Sequence, residues 1–190
     1  MNTPAHAVVN LLLLGKRDRP SLFAPIAFGA ILPDLPMFLF YVYQKVWLGT
    51  PEHTIWSESY YLTVWQAFFD VFNSLPLMVL AALVAYAAKS PRVVAVFASM
   101  MLHAVCDLLL HHNDAHRHFF PFLEWRFFSP VSYWDPRYYG SIVSSIETVV
   151  VVVGASWLLK QYPAKGARGF LGFILASYVL YIAYAFVVWV

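Results

Sequence analysis

Leu102-His103-Ala104-Val105-Cys106-Asp107-Leu108-Leu109-Leu110-His111-His112-Asn113-Asp114-Ala115-His116-Arg117-His118 holds five of the chain's seven histidines and two aspartates. It is the tail of an apolar run that begins near Val93. On a helix, His103, Asp107 and His111 stand at i, i+4 and i+8, one turn apart on one face. Imidazole nitrogen and carboxylate oxygen are ligands for a divalent metal, and an i, i+4 pair supplies two of them from a rigid element. The row begins inside the apolar run, where an ionisable group marks a functional site by default. Cys106 falls one position off the row and reads as packing.

Outward from this stretch the chain stays apolar. Of its 190 residues, 61% are hydrophobic and 12% charged, where a soluble domain is about 25% charged. The mean hydropathy is +0.65. These values predict an integral membrane protein. The apolar runs are continuous, without the period-two alternation of a β-barrel, so the fold class is all-α. We expect a polytopic transmembrane helix bundle of four to five spans, with a short N-terminal half-span and an interfacial helix, in one domain over 1–190. The 18% aromatic content suits interfacial belts, with Trp125, Tyr133, Trp134 and Tyr138 in one of them. A net charge of +2, with no basic patch interleaved with aromatics, gives no footprint for nucleic acid. Membrane lipids are the expected partners. The single cysteine makes no internal disulfide, and the N-terminus lacks the positive n-region of a signal peptide.

Thr3-Pro4 reads as a helix start, with Thr3 as N-cap, and Gly15 as its stop. Residues 3–14 would reach ~18 Å against a bilayer core of about 30 Å, hence a half-span. His6 and Asn10 share a face of it. Pro20 to Trp47 is long enough to span but is interrupted at Leu32-Pro33-Asp34-Leu35-Pro36. The two prolines remove backbone donors and kink the helix, presenting Asp34 near mid-span. A carboxylate at a helix break suits an ion site; a plain kink with a snorkelling Asp34 is the alternative. Gly49 to Trp56 reads as a polar loop with His53 an ordinary member, and Ser57 to Asn73 as an aromatic-rich interfacial helix. Leu75 to Ala88 is short and must borrow residues from that helix to span. Val93 to His112 carries the ligand row. Asn113 to Arg137 is a loop, Tyr138 to Lys160 a span containing Glu147, and Phe170 to Val190 a final span.

Eight Lys/Arg residues (Lys16, Arg17, Arg19, Lys89, Arg92, Lys160, Lys165, Arg168) then fall on one side and four (Lys45, Arg117, Arg126, Arg137) on the other. The first side is expected to be cytoplasmic. In this register His6, Asp34, His103 and Glu147 lie at mid-depth, with Asp107 and His111 one and two turns nearer the outer face. Each group costs at least ~2.5 kcal/mol facing lipid. Mutual pairing or a shared metal would offset that cost.

Together these residues resemble a family, the bacterial membrane-bound metal-dependent hydrolases. This is a DNA-damage-regulated inner-membrane group, loosely similar to zinc-dependent phospholipase C. The likeness runs from His6 to about Trp134. It rests on His6, Pro33-Asp34, His103-x-x-x-Asp107 with His111, Phe120-Pro121-Phe122 and Ser129-Pro130-Val131-Ser132. One departure stands out. Where the family has a His-Arg pair and then Thr-His-Ser, this chain reads Phe68-Phe69-Asp70-Val71-Phe72-Asn73-Ser74. Either Asp70 and Asn73 substitute as oxygen ligands, or the site has lost a metal or its activity.

The resemblance implies a metal-dependent hydrolase of a phosphodiester or ester, on a lipid-linked or lipid-headgroup substrate. His6, Asp34, His103 and Asp107, with His111 on the same row, would hold zinc, or manganese or iron where carboxylates dominate. Glu147 or Asp70 would be the general base and the other a ligand. The competing reading is a non-catalytic membrane protein: a metal or proton transporter, or a scaffold with a structural polar core. His112, His116 and His118 read either as solvated loop side chains or as added ligands, and Arg117 as a partner for lipid phosphate.

Overall fold

The computed structural model describes residues 1–189, with side chains described through residue 183. Val190, the end of the expected final span, lies outside the described residues. Among these, every regular element is helical: α1 (Thr3–Leu14), α2 (Phe23–Ile31), α3 (Leu35–Val42), α4 (Glu52–Ser57), α5 (Thr63–Asn73), α6 (Leu75–Ala87), α7 (Pro91–Leu110), α8 (Gly140–Gln161) and α9 (Lys165–Trp189). Four helical segments are long and apolar enough to cross a membrane: Pro20–Trp47, Pro91–Leu110, Gly140–Gln161 and Lys165–Ala183. A fifth forms if α5 and α6, bent by 43°, count as one span. Their outer faces carry exposed Leu80 and Leu83 on α6 and Ile142, Ile146, Val149 and Val153 on α8. Such faces are stable against lipid. The chain is an integral, multi-pass membrane protein.

The half-span α1 sits in the middle of the bundle, packed on α2, α7 and α8. Its Ala5, Ala7, Val8 and Leu11 join Ile26, Ala27 and Ala30 of α2, Val151, Ala155 and Leu158 of α8, and Leu171 and Ile174 of α9 in one buried cluster. Packing of most of its length against other helices makes a helix of this length tolerable at membrane depth, with Leu13 exposed near its end. Gly29 sets the approach of α2 to α7. A Cβ there would overlap the Val96 carbonyl and crowd Ser99. This closeness puts the Ala30 carbonyl within reach of α7.

Several boundaries differ from the sequence reading. The break in the second segment is a single 3-10 turn, Leu32–Asp34. Pro33 and Pro36 each fall in the first two positions of a new helical piece, where no N–H is required. The expected polar loop at 49–56 contains α4. The amphipathic helix starts at Thr63, after α4 stops at Glu58 and a 3-10 turn, Ser59–Tyr61, intervenes. Phe40, Ile55, Tyr60 and Phe69 bury together there and hold this arrangement. Asn2, not Thr3, occupies the N-cap of α1, with extended backbone and no side-chain cap; the Thr3 hydroxyl donates to Asp34. His111 is not helical. It is the C-cap of α7, with φ −114 and ψ 127. The basic turn at 161–168 is shorter than expected, since α9 begins at Lys165.

The long connection between α7 and α8 folds back over one end of the bundle. Leu75 N–H donates to the His118 carbonyl at 2.9 Å, and Ser74 Oγ to the Phe120 carbonyl at 2.5 Å. Connections α1–α2, α6–α7 and α8–α9 carry Lys16, Arg17, Arg19 and Lys89, and Arg92, Lys160, Lys165 and Arg168 lie in the adjoining helix turns.

Candidate metal centre

α7 presents His103 and Asp107 one turn apart, as helical spacing requires. His103 Nδ1 lies 2.7 Å from the Ala30 carbonyl. A carbonyl only accepts, so Nδ1 carries a proton and the ring is oriented with Nε2 away from Ala30. Nε2 faces Asp107 Oδ2 at 2.9 Å and Asp34 Oδ1 at 3.5 Å, a geometry that calls for a proton or a cation between nitrogen and carboxylate. α1 adds His6, whose ring stacks on His103 with centroids 3.5 Å apart and planes 12° from parallel. His6 Nε2 is 2.9 Å from Asp107 Oδ1. One ligand atom each from His6, His103 and Asp107 lies within 4.8 Å of the others, and all three residues are buried.

The chemistry of this set fits a divalent ion. Both nitrogens of His6 and Nε2 of His103 have no hydrogen-bond partner, although carboxylate oxygens stand 2.9 Å away. Two atoms each about 2.0–2.2 Å from one ion, at ordinary coordination angles, are about 3.0–3.5 Å apart. The observed spacings are close to such edges without being hydrogen bonds. A buried acceptor facing another acceptor is costly unless a proton or a cation lies between them. Two imidazoles and a carboxylate are ligand types that a divalent ion accepts.

Asp34 closes one side. Its Oδ2 accepts from Thr3 Oγ1 at 2.5 Å, and its side chain is 14% exposed against 2% for Asp107. His111 still reaches the group from its extended backbone. Its Nε2 is 3.2 Å from Asp107 Oδ1, and its Nδ1 is 3.0 Å from Asp114 Oδ2, a carboxylate–histidine pairing typical beside metals. Burial opposes the charged form of His111, but the charges and hydrogen bonds of Asp107 and Asp114 outweigh it and raise its pKa to about 9. The Met1 amine stands 2.9 Å from Asp107 Oδ1.

The other expected site residues lie elsewhere. Asp70 is fully buried but is occupied by Arg117, whose N–H donates to Oδ1 at 3.0 Å and whose Nε donates to Oδ2 at 2.5 Å. Arg117 also pairs with Glu124, so its guanidinium is engaged within the protein. Asn73 donates to the Phe69 carbonyl one turn back, and Phe68 packs on Trp65 and Phe72. Glu147 accepts from Asn2 N–H at 3.1 Å, Asn2 Nδ2 at 2.6 Å and Tyr178 OH at 2.7 Å. It lines a separate cavity beside the centre.

The loop histidines are not solvated. His116 and His118 are 3% and 1% exposed. Burial, then the neighbouring His111 and His118, pushes His116 down to about 4, and burial lowers His118 as well. His112 stacks on Tyr138 with centroids 3.6 Å apart, and its Nδ1 meets the Ser129 carbonyl at 2.6 Å. Tyr133, expected in the interfacial belt, packs on His111. Thr3, Asp114, Asn2 and Tyr178 were missed in sequence. A Thr three positions before His6 on the same helix was the one local signal available. No family model matches this chain, and no curated protein or solved structure matches it.

Proposed function

We propose that the chain is a membrane-embedded, metal-dependent hydrolase of a phosphoester or ester on a lipid-linked substrate. The reading places it in a bacterial inner membrane, its basic connections cytoplasmic and its long loop outside. The observation that carries it is the convergence of unpartnered, buried His6 and His103 nitrogens on both oxygens of Asp107. The likeness to the membrane-bound metal-dependent hydrolases supports the same reading.

His6, His103 and Asp107 would hold the ion, zinc being favoured by the two imidazoles. When bound, a divalent ion lowers the pKa of a coordinated water toward about 7, making hydroxide available near neutrality. The chain's own residues do the rest. The Ala30 carbonyl fixes the His103 tautomer and ring direction. Thr3 steers Asp34 Oδ2, leaving Oδ1 toward the centre. Asp34 takes the water proton, the role that the sequence reading gave to Glu147 or Asp70. Hydrolysis forms a bond from water oxygen to phosphorus or acyl carbon, breaks the ester C–O or P–O bond, and leaves the alcohol with a proton.

A transporter needs a polar route to both ends of the bundle. From the centre, polar contacts continue to Asn10, whose Nδ2 donates to Ser99 Oγ at 2.8 Å, and from Ser99 Oγ to the Ile26 carbonyl at 2.7 Å. The buried cluster on that side holds Leu11, Leu158, Leu171 and Ile174, with Tyr162 beside Gly15 as its polar member. A site polar toward one end favours hydrolysis.

The test is elemental analysis of the purified protein, with phosphoester cleavage measured in parallel. We expect about one divalent ion per chain, lost in His103→Ala and Asp107→Asn together with cleavage. Background metal in the unmutated protein would overturn the reading.

A further inference from the structure

Beside the centre lies a cavity of about 400 Å³, walled by α8, α9, the start of α1 and the long loop. Its wall has an unusual polarity. Ser144, Thr148 and Ser177 each donate their hydroxyl proton to a backbone carbonyl on their own helix, at 3.2, 2.8 and 2.9 Å. Tyr178 spends its proton on Glu147. These four groups retain oxygen lone pairs toward the cavity, the hydroxyls of Tyr133, Ser141 and Tyr181 can turn either way, and the formal charge among the described lining residues is the Glu147 carboxylate. Among the described residues no Lys, Arg or His lines the space, and residues 184–190 include none. Trp134 supplies an aromatic face.

A carboxylate with no basic residue among the described lining disfavours phosphate and carboxylate groups. It attracts a cation that also donates hydrogen bonds, and an aromatic face adds attraction for the same charge. We infer that this cavity binds a primary ammonium group, carried by an aminoalcohol headgroup, with Glu147 as its counter-charge. The cavity adjoins the metal centre through Tyr133, which lines it and packs on His111 with ring centroids 4.9 Å apart. Asn2 contributes a second wall residue, adjacent in sequence to Met1, whose amine touches Asp107. Resting on the hydrolase reading, the inference names the substrate class: an amine-bearing phosphoester, ammonium in the cavity and ester at the centre. Exposed Ser141 and Tyr181 form the rim between α8 and α9, a lateral entry suited to a headgroup.

The experiment is lipid retention by the full chain in nanodiscs containing phosphatidylethanolamine, phosphatidylcholine and phosphatidylglycerol in equal amounts, read by native mass spectrometry. Metal content is measured on the same samples. We expect retention of phosphatidylethanolamine over phosphatidylglycerol by about tenfold or more, the scale of one charge-assisted hydrogen bond. Phosphatidylcholine, which cannot donate, should fall between. Glu147→Gln should remove the preference with metal content unchanged. Thr148→Val should weaken it in a variant that leaves the carboxylate in place. Free ethanolamine is added to a parallel detergent sample. Displacement of the lipid by it supports the ammonium alone as the determinant, and retention of the lipid against it supports the whole headgroup. Equal retention of the three lipids, or an unchanged preference in both variants, overturns the inference and leaves the metal reading standing. Absent metal with an intact preference does the reverse.

Discussion

His103 is surrounded by acceptors. Its Nδ1 proton belongs to the Ala30 carbonyl, so Nε2 confronts two carboxylates. Asp34 is the carboxylate with access, and Asp34→Asn should lower turnover by about 100-fold while metal content stays at the unmutated level, the usual scale of a general base. Loss of metal in that variant would make Asp34 a ligand instead. His116 gives a pH prediction. It faces Asp70 from α5 and His111 and His118 from the loop, and its folded pKa of about 4 lies below its ordinary 6.5. The unfolded loop therefore binds more protons between those values, and stability rises with pH across that window. The contribution is complete above 6.5 and is lost as pH falls toward 4. Hydrogen exchange of residues 111–139, corrected for intrinsic rates, should show more opening at pH 5 than at pH 7. His116→Gln should flatten that difference. At this scale His103 and Asp107 were legible because helical spacing alone aligns them. The partners of Glu147 were not, since Asn2 and Tyr178 lie 145 and 31 residues away.

Among the elements, the contact of α2 with α7 matters most, because it carries the Ala30 carbonyl to His103. Gly29→Ala forces a methyl into the Val96 backbone. It should destabilise the protein by about 2 kcal/mol, seen as a lower thermal midpoint in detergent, with weaker metal retention. A midpoint equal to the unmutated protein would mean the helices separate freely. The loop is held by the Asp70–Arg117 pair, with side chains 0% and 11% exposed. Asp70→Asn should cost about 3 kcal/mol by leaving Arg117 without its buried counter-charge, and limited proteolysis should cut within 111–139. Unchanged proteolysis would show that Ser74 and Leu75 anchor the loop unaided. The helix was read past its end, because His111 fits helical spacing although it is the C-cap. Its extended backbone follows from the loop turning back, with Tyr133 N–H on the Leu110 carbonyl and Ser129 N–H on the His111 carbonyl. Burial of His116 and His118 depends on the same long-range folding, which local polarity cannot reveal.

Across the whole molecule, hydropathy and length sufficed for the spans. The long apolar runs are helical, and α6 is long enough to span only when counted together with α5 across their 43° bend. What length could not say is that α1 lies at the centre of the bundle, not at its edge. That position brings His6 against His103 and makes the centre a product of three segments distant in sequence. X-ray absorption at the metal edge of the purified protein tests this most directly. The expected spectrum has two imidazole nitrogens and carboxylate oxygen at about 2.0–2.2 Å, with one imidazole lost in His6→Ala. A protein without bound metal, or a metal whose shell lacks imidazole, would contradict it.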